Sequence, residues 1–377
     1  MIQRRHFLIG GAAAGLIPLI ARAQEAAKPA PGPRTPFTYT DGKIRVPVRV
    51  GQIDVSTVID SGALYNSMDA RLARDFHIAS AGEVSLSAIG GSAKARFSDP
   101  LDISLGGKAI PQSQFAVLDL SKFSASVGQP VDLILGAPLF RAFVVDIDFE
   151  TKTLALFDPD AFELPESGAM ERIALMGGLM TAKVYLPHGS VEATVDTGSD
   201  APLILSPSAA LRLGVLGQGP ESTARMTGIG GTVIGKITST PTLGFAAQLF
   251  EDVPIQIAPR EFGSDANVGC GLLSKFRVAV DFKHDWLVLS DVNKTPFKRD
   301  LTGLKATPQG AALKITHIAT GGPAAAAGLK IGDIIQTMNG EPAVTANQRL
   351  IDAPAGTVLA LGLRSRRAVN LNLARYY

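Results

Sequence analysis

Hydrophobic and polar residues alternate in short runs along most of this chain, which predicts strands joined by turns. Alternation with a period of two is the pattern of a strand that buries one face. Two such runs match each other closely. Their apolar positions are Ile44, Val46, Val48 and Val50 in the first run and Met180, Ala182, Val184 and Leu186 in the second.

These two runs belong to an internal duplication. In each copy a return strand leads to an aspartate, Asp60 or Asp196, 136 residues apart. Glycine-rich turns follow at 88–92 and 228–232, and apolar stretches then end at Gly136 and Gly269. Landmarks in the same order predict two lobes of the same β fold, which we place at 38–165 and 166–293.

Each copy also contains one predicted short helix soon after its aspartate. In the second copy Ser206 is a suitable N-cap, Pro207 suits the first helical position and Gly214 follows the end. In the first copy the helix is predicted near 69–76. The remainder of both copies is predicted to consist of strands and turns.

The segment 300–377 has a different pattern. Residues 310–318 alternate between apolar and polar, and a run of alanines lies between Pro323 and Gly328. This run predicts one short helix, and Asn339-Gly340 predicts a hairpin turn. We therefore treat 300–377 as a separate α+β domain.

The N-terminus has the composition of an export signal. A basic start with paired arginines precedes an apolar run to Ile20, and 21–23 supply small residues for cleavage. The pair followed by Phe7-Leu8 resembles a twin-arginine signal, so we expect the periplasm or the exterior as the destination. An ordinary secretory signal or an uncleaved anchor is the alternative. Residues 24–37, rich in Ala and Pro, are predicted to be a linker.

Composition and charge exclude several functions. The net charge is +2, and the first 23 residues contain three arginines and no acid, so the remainder is near neutral. A near-neutral chain lacks the basic surface that nucleic acids or anionic membranes require. The single cysteine, Cys270, excludes an internal disulfide, and the five histidines show no metal-binding spacing. We therefore expect no metal, no cofactor and no stable membrane span once the signal is removed.

The chemistry is predicted to reside in two phrases, Asp60-Ser61-Gly62 and Asp196-Thr197-Gly198. Either aspartate alone would be interpreted as a turn residue. At equivalent positions of two copies, they are more simply explained as one paired site. Two neighbouring carboxylates share a proton, because both cannot readily ionise at once. The ionised member can activate water, and the protonated member can donate to a carbonyl oxygen. Ser199 follows the second phrase where the first has Ala63, so we expect its hydroxyl to make Asp196 the more acidic member.

The ordered motifs resemble the retropepsin-like aspartic proteases, here with both halves in one chain. The resemblance implies a mainly β fold of two β-barrel lobes related by a pseudo-twofold axis. It implies that Asp60 and Asp196 are catalytic and that Ser61, Gly62, Thr197, Gly198 and Ser199 support them. It also implies glycine-rich flaps over the substrate, with Ile89, Gly90, Ile229 and Gly230 at their tips. Ordinary hairpins are the alternative for those tips.

The last segment resembles a bacterial PDZ domain over 300–377, through Gly322-Pro323-Ala324, Gly328-Leu329, Gly332-Asp333 and Asn339-Gly340. This resemblance implies that backbone N–H groups of Thr302, Gly303 and Leu304 bind a peptide carboxylate; a plain linker is the alternative. The sequence thus predicts an exported aspartic endopeptidase that acts on polypeptides, with a PDZ domain for substrate recruitment or regulation. The alternatives are an inactive peptide-binding protein that keeps the cleft, and a scaffold in which the PDZ domain acts alone.

Overall fold

The computed structural model describes residues 33–88, 90–164, 168–346, 353–365 and 367–377. Strands form about half of it and helices 12%. The predicted signal segment 1–23 and most of the linker lie outside the described residues. The end of that linker is not free chain, because Thr35–Pro36 pairs with a later strand and Phe37 is buried. Among the described residues, no helix is both long and apolar enough to cross a membrane.

The first repeat is a strand-rich lobe with three short helices. Its helices are α1 (Ala70–Asp75), α2 (Ser121–Ser126) and α3 (Ala137–Ala142). Its strands are β1 (Thr35–Pro36), β2 (Thr38–Thr40), β3 (Lys43–Val50), β4 (Ile53–Ile59), β5 (Ser67–Asp69), β6 (Ser80–Ala88), β7 (Gly91–Ser98), β8 (Leu101–Leu105), β9 (Lys108–Ser113), β10 (Ala116–Leu118), β11 (Leu133–Leu135), β12 (Val144–Asp148) and β13 (Thr153–Phe157).

The second repeat follows the first in outline. Its helices are α4 (Pro207–Arg212) and α5 (Cys270–Leu273). Its strands are β14 (Ala169–Arg172), β15 (Ala174–Met176), β16 (Leu179–Leu186), β17 (Gly189–Asp196), β18 (Leu203–Leu205), β19 (Ser222–Gly228), β20 (Gly231–Phe245), β21 (Gln248–Ile257), β22 (Ala266–Gly269), β23 (Arg277–Asp281) and β24 (Trp286–Ser290). The described residues of this repeat contain no helix in the place of α2, and two long strands, β20 and β21, replace β7 to β10.

The sheet topology explains why the two lobes present equivalent sites. In the first lobe β4 runs parallel to β11, β11 pairs antiparallel with β5, and β5 runs parallel to β10. The second lobe repeats this order with β17, β22, β18 and β21. The central strands β4 and β17 are buried, and each leads directly to one of the two aspartates. The prediction of a duplicated β fold is therefore confirmed.

A sheet shared by the lobes joins them away from the aspartates. Its order is β1-β13-β12-β23-β24-β14, so the pairing of β12 with β23 connects the first repeat to the second. Asp146 in β12 is 2% exposed there and is bound by two arginines, Arg34 and Arg277. One large apolar core extends through both lobes and this sheet.

The predicted helices form where their caps allow. Asp69 precedes α1, and its carboxylate accepts a hydrogen bond from the Arg71 N–H. Ser206 caps α4, accepting from the Ala209 N–H at 3.2 Å, and Pro207 occupies the first position. Both helices were predicted, the second of them from its cap, and both predictions are confirmed. The prediction of one helix per copy was wrong, because α2, α3 and α5 are also present.

The C-terminal domain is a five-stranded sheet with one short added strand. It contains the helix α6 (Pro323–Ala326), and the described residues 343–346 are helical as well. Its strands are β25 (Leu304–Gln309), β26 (Ala312–Ile318), β27 (Ile334–Met338), β28 (Glu341–Pro342), β29 (Val358–Leu363) and β30 (Ala368–Asn372). The strand order β25-β26-β27-β29-β30 leaves β25 at an edge. The domain has its own apolar core, separate from that of the lobes.

Candidate active site

The two aspartates occupy equivalent turns at the ends of central strands. Asp60 follows β4, and its N–H donates to the Leu135 carbonyl at 2.9 Å. Asp196 ends β17 and lies beside Gly269 of β22. Each turn closes by a backbone hydrogen bond to the carbonyl of its aspartate, from Ala63 at 3.1 Å and from Ser199 at 3.2 Å.

Reciprocal hydrogen bonds connect these turns across the pseudo-twofold axis. The Ser61 N–H donates to Thr197 Oγ1 at 2.9 Å, and the Thr197 N–H donates to Ser61 Oγ at 3.0 Å. Each hydroxyl then donates to a carbonyl of the opposite lobe, Ser61 to Val195 and Thr197 to Ile59. Both side chains are fully buried, so the two turns are held in one fixed arrangement.

The glycines bring each turn against the opposite carboxylate. The Gly62 N–H donates to Asp60 Oδ1 at 3.0 Å, and the Gly198 N–H donates to Asp196 Oδ1 at 2.9 Å. A Cβ on Gly62 would lie 2.5 Å from Cγ of Asp196, and one on Gly198 would meet the Asp60 carboxylate as closely. Only glycine leaves room for the two carboxylates to approach each other.

Burial and mutual repulsion favour a shared proton. Desolvation, followed by the charge of Asp196, raises the pKa of Asp60 to about 8. Desolvation also raises the pKa of Asp196, but the ammonium of Lys43 and hydrogen bonds from Asp60, Gly198 and Asn267 oppose that rise. When the pair holds a single proton, these interactions favour it on Asp60 and leave Asp196 as the ionised member.

Asn267, and not Ser199, contributes to this asymmetry. The Asn267 amide donates to Asp196 Oδ2 at 2.9 Å, which stabilises the carboxylate. The equivalent position of the first lobe is Ile134, which is apolar and buried. The Ser199 hydroxyl, which we expected to act on Asp196, is buried with no hydrogen-bond partner among the described residues. Our sequence prediction was therefore wrong about the cause.

This difference can be tested by two substitutions. Asn267→Leu removes the donor that favours ionised Asp196, so its pKa rises and activity on the acid side should fall several-fold. Ser199→Ala should leave the acid limb of the pH–activity profile unchanged, because the Ser199 hydroxyl makes no hydrogen bond to either carboxylate. Measuring kcat/KM against pH for both variants separates the two causes. A shift in Ser199→Ala alone would contradict this assignment.

Lys43 is a further residue of this region that the sequence did not single out. It is 6% exposed, and its Nζ donates to the Gly198 carbonyl at 2.5 Å. The strand that carries it comes from the first lobe, whereas Gly198 belongs to the second. Comparing the two repeats could have identified Lys43, because the equivalent residue of the second repeat is the apolar Leu179.

The glycine-rich hairpins of the two lobes meet each other. Ala88 pairs with Gly91 and Gly228 pairs with Gly231, so each hairpin has a two-residue tip. A Cβ on Gly230 would lie 2.8 Å from the Gly91 Cα. Ile229 packs on an apolar cluster of the first lobe that includes Leu86 and Val58. Ile89 lies outside the described residues, and Gly90 lies against Gly231.

The loop singled out in the C-terminal domain already has partners for its amides. The N–H groups of Thr302 and Gly303 donate to Asp300 Oδ1 at 2.9 and 3.2 Å. The Leu304 N–H donates to Thr302 Oγ1 at 3.0 Å. A peptide carboxylate would therefore have to replace the carboxylate of Asp300 to bind to the first two of these amides.

Other polar groups do not add a second chemical centre. Cys270 is fully buried, its thiol donates to the Thr197 carbonyl at 3.2 Å, and burial raises its pKa. This thiol is not a nucleophile. In the part of the chain that the structure describes, no three His, Cys, Asp or Glu residues are grouped as metal ligands would be.

A two-lobed β protein with one carboxylate from each lobe, linked by reciprocal hydrogen bonds, belongs to the class with an aspartic dyad. Comparison with protein families agrees. The model of the aspartyl protease family matches residues 46–139 and 183–273, one match per repeat, and that of the PDZ domain matches 293–362. The two repeats are thus aspartyl protease domains by their family match, and a C-terminal PDZ domain follows them. A search of curated proteins gave no significant match.

Proposed function

We propose that this protein is an aspartic endopeptidase that hydrolyses extended peptides with a water activated between Asp60 and Asp196. The observation that carries this proposal is the pair of aspartates at equivalent turns, connected by reciprocal hydrogen bonds of Ser61 and Thr197. A pair that retains one proton holds both a base and an acid in one place, as peptide hydrolysis without a metal requires.

The asymmetry of the pair assigns the two roles. Ionised Asp196 takes a proton from the water while the water oxygen bonds to the carbonyl carbon. Protonated Asp60 gives its proton to the carbonyl oxygen, so a neutral tetrahedral intermediate forms. When the C–N bond breaks, the leaving nitrogen takes the proton from Asp196, and Asp60 regains a proton from one hydroxyl of the intermediate, whose oxygen becomes the carbonyl oxygen of the new carboxyl group. Each cycle thus restores the starting protonation.

The hairpins ending near Gly90 and Gly230 supply a cover for the substrate. A peptide reaching the aspartates must pass beneath them, so they have to separate for binding. Ile229 then exchanges part of its contact with the first lobe for contact with the peptide. We place this activity in the periplasm or outside the cell, on the basis of the twin-arginine-like N-terminus.

The rival is an inactive peptide-binding protein with the same cleft. Incubation of the protein lacking 1–23 with an unfolded polypeptide from pH 3 to 8, followed by mass spectrometry of the products, separates the two functions. Discrete new termini support the protease. Saturable peptide binding with no cleavage at any pH would establish the rival. Loss of function only when 300–377 are deleted, with both aspartates dispensable, would favour the scaffold.

Contacts between the PDZ domain and β19, the first strand of the second flap, support a role of this domain in regulating the cleft. Ser222 Oγ donates to the Thr320 carbonyl at 2.6 Å, and the Thr320 N–H donates to Thr223 Oγ1 at 3.1 Å. The His317 imidazole lies 3.2 Å from the Thr223 carbonyl. The segment after His317 is in turn hydrogen-bonded to the PDZ loop, since the Ala319 N–H donates to the Gly303 carbonyl.

Two arginines add charge pairing to this contact. Arg299 and Arg375 both bind Asp252 of the second lobe, at 2.7 and 2.6 Å. Burial lowers the pKa of His317, so the folded contact favours the neutral imidazole. When folding lowers the pKa of a base, the fold becomes less stable as pH falls below the ordinary pKa of that base, which is near 6.5 for histidine. The PDZ contact is therefore expected to weaken in acid.

A substitution at the contact tests this regulation. Thr223→Val removes the acceptor for the Thr320 N–H and should accelerate amide hydrogen exchange in β19 and change KM by about three- to tenfold. Thr227→Val, on the same strand but hydrogen-bonded only within its hairpin to Thr232, serves as the matched control. Equal exchange and equal KM in Thr223→Val and the parent would contradict a regulatory contact.

A further inference from the structure

A buried cation lies beside the dyad on one side only. Lys43 begins β3, directly after the Asp41-Gly42 turn, and this hairpin crosses to the second lobe. Gly42 packs there against Asp200, where a Cβ would lie 2.6 Å from the Asp200 Cα. The Lys43 Nζ donates to the Gly198 carbonyl at 2.5 Å, and the residue is 6% exposed. A buried ammonium with a neutral partner is costly unless nearby charge compensates it.

The equivalent hairpin of the second lobe lacks this feature. Gly178 occupies the place of Gly42 and lies against Leu64, and Arg141 donates to the Gly178 carbonyl at 2.7 Å. The next residue is Leu179, which is apolar where the first repeat has Lys43. The fold therefore does not need a cation at this position. The cation is a property of one half of the site.

The peptide that Lys43 holds is part of the dyad's immediate surroundings. Gly198 donates its N–H to Asp196, and its Cα lies against the Asp60 carboxylate. Fixing the Gly198 carbonyl therefore fixes the backbone that touches both acids. The ammonium also lies where its charge favours the ionised forms of both Asp60 and Asp196. These two effects act on the reacting groups without contact between Lys43 and the substrate.

Several titratable groups share this environment. The two turns contribute the carboxylates of Asp60, Asp196 and Asp200. Helix α5 contributes the thiol of Cys270, and the hairpin of Lys43 contributes the phenol of Tyr39 and the carboxylate of Asp41. Cys270 and Tyr39 stay neutral, because burial raises the pKa of both. The compensating charge for Lys43 therefore comes from carboxylates, and those of the dyad are the buried ones.

We propose that Lys43 is a positioning residue for the dyad: it holds the Gly198 peptide in place and sets the pH range in which the pair carries a single proton. This inference rests on the proposed function, in which the singly protonated pair is the active form. The cation lowers the pH at which the first proton leaves and also the pH at which the second one leaves. Without it, both limits of activity move upward.

Three substitutions separate charge from hydrogen bonding. Lys43→Met removes both, Lys43→Gln removes the charge but keeps an N–H donor for Gly198, and Lys43→Arg keeps both. In kcat/KM profiles, both limbs should move up by about one pH unit in Lys43→Met and Lys43→Gln and stay in place in Lys43→Arg. The maximal kcat should fall in Lys43→Met and recover in Lys43→Gln. Lys183→Met, in the matching strand β16, is the control and should resemble the parent.

A second measurement does not depend on catalysis. Carbon-13 NMR titration of the aspartate carboxyl groups, assigned with Asp60→Asn and Asp196→Asn, reports the protonation of the pair directly. Titration midpoints about one unit higher in Lys43→Gln than in the parent support the proposal. Unchanged midpoints in a folded Lys43→Gln overturn it. If the parent cleaves nothing between pH 3 and 8, the proposed function fails, while these midpoints still decide the role of Lys43.

Discussion

Asp60→Asn and Asp196→Asn are each expected to reduce kcat/KM for a peptide substrate by about a thousandfold or more. An amide in either place cannot both accept and return a proton, and each cycle needs one acid and one base. Because the two residues act as one unit, the double variant should be little worse than either single one. Steady-state hydrolysis of one fluorogenic peptide, measured across the pH range of the parent, provides the comparison.

The control for this prediction is another aspartate in a comparable place. Asp148 ends β12 and accepts hydrogen bonds from the N–H groups of Glu150 and Thr151, so its role is to form a turn. Asp148→Asn should keep its activity within a few-fold of the parent. Comparable losses in Asp148→Asn and Asp60→Asn would mean that the substitutions act through folding. A residual rate near that of the parent in Asp196→Asn would exclude the dyad mechanism.

Asp60→Asn has a second expected effect, which concerns the stability of the fold. Burial and the neighbouring carboxylate raise the pKa of Asp60 to about 8, so the folded protein favours its protonated form. The unfolded chain releases that proton near pH 4, and the stability of the fold therefore falls as pH rises from about 4 to about 8. Asp60→Asn removes this dependence. Its melting temperature should exceed that of the parent at pH 8 and approach it at pH 4.

The aspartates could be predicted from the sequence because their signals are local and occur twice. A strand, a short phrase and a glycine stand in the same order in both repeats, and each part follows from near neighbours in the chain. The helix cap Ser206 is of the same kind. The duplication supplied the one long-range fact needed, that Asp60 and Asp196 occupy equivalent positions.

Lys43 and Asn267 could not be assigned in this way, because their partners come from distant segments. Lys43 stands at the start of an alternating strand and reaches a carbonyl 155 residues away. Asn267 occurs in an apolar stretch and reaches Asp196, 71 residues away. Both are sites where the repeats differ, with Leu179 and Ile134 as counterparts. Comparing buried positions throughout the repeats, as well as beside the aspartates, would have found them.

The PDZ loop illustrates another limit of sequence patterns. Thr302 and Gly303 form a loop in the expected place, and Leu304 begins the edge strand β25. Which anion its amides bind depends on side-chain direction, and the Asp300 carboxylate accepts from two of them. Asp300 also accepts a hydrogen bond from the Tyr376 hydroxyl at 3.1 Å, and Tyr376 comes from far along the chain. The motif predicts the loop, and tertiary structure decides what occupies it.

The shared sheet leads to the second large expected effect, because Asp146 joins residues from both repeats. Its carboxylate is 3% exposed and lies 2.6 Å from both Arg34 Nη1 and Arg277 Nη2, with Arg277 Nε at 3.0 Å. Asp146→Ala leaves two guanidinium groups at this site without their anion. Removing one partner of a fully buried ion pair costs about 3–5 kcal/mol, but the side chains of Arg34 and Arg277 are 30% and 42% exposed and remain partly hydrated. We therefore expect a smaller loss in the free energy of unfolding, about 2–3 kcal/mol, from the lost charged hydrogen bonds.

Urea unfolding followed by tryptophan fluorescence measures this loss, since the single tryptophan, Trp286, lies in β24 of the same sheet. Asp54→Ala breaks an exposed pair with Arg49 and should change the midpoint little. A midpoint for Asp146→Ala as close to the parent as that control would show that the two arginines are solvated adequately alone.

Because β12 and β23 pair next to Asp146, the predicted loss also implies that this network sets the relative position of the two lobes. The distance between the two catalytic turns depends on that position, so Asp146→Ala should lower kcat at temperatures where the protein is still folded.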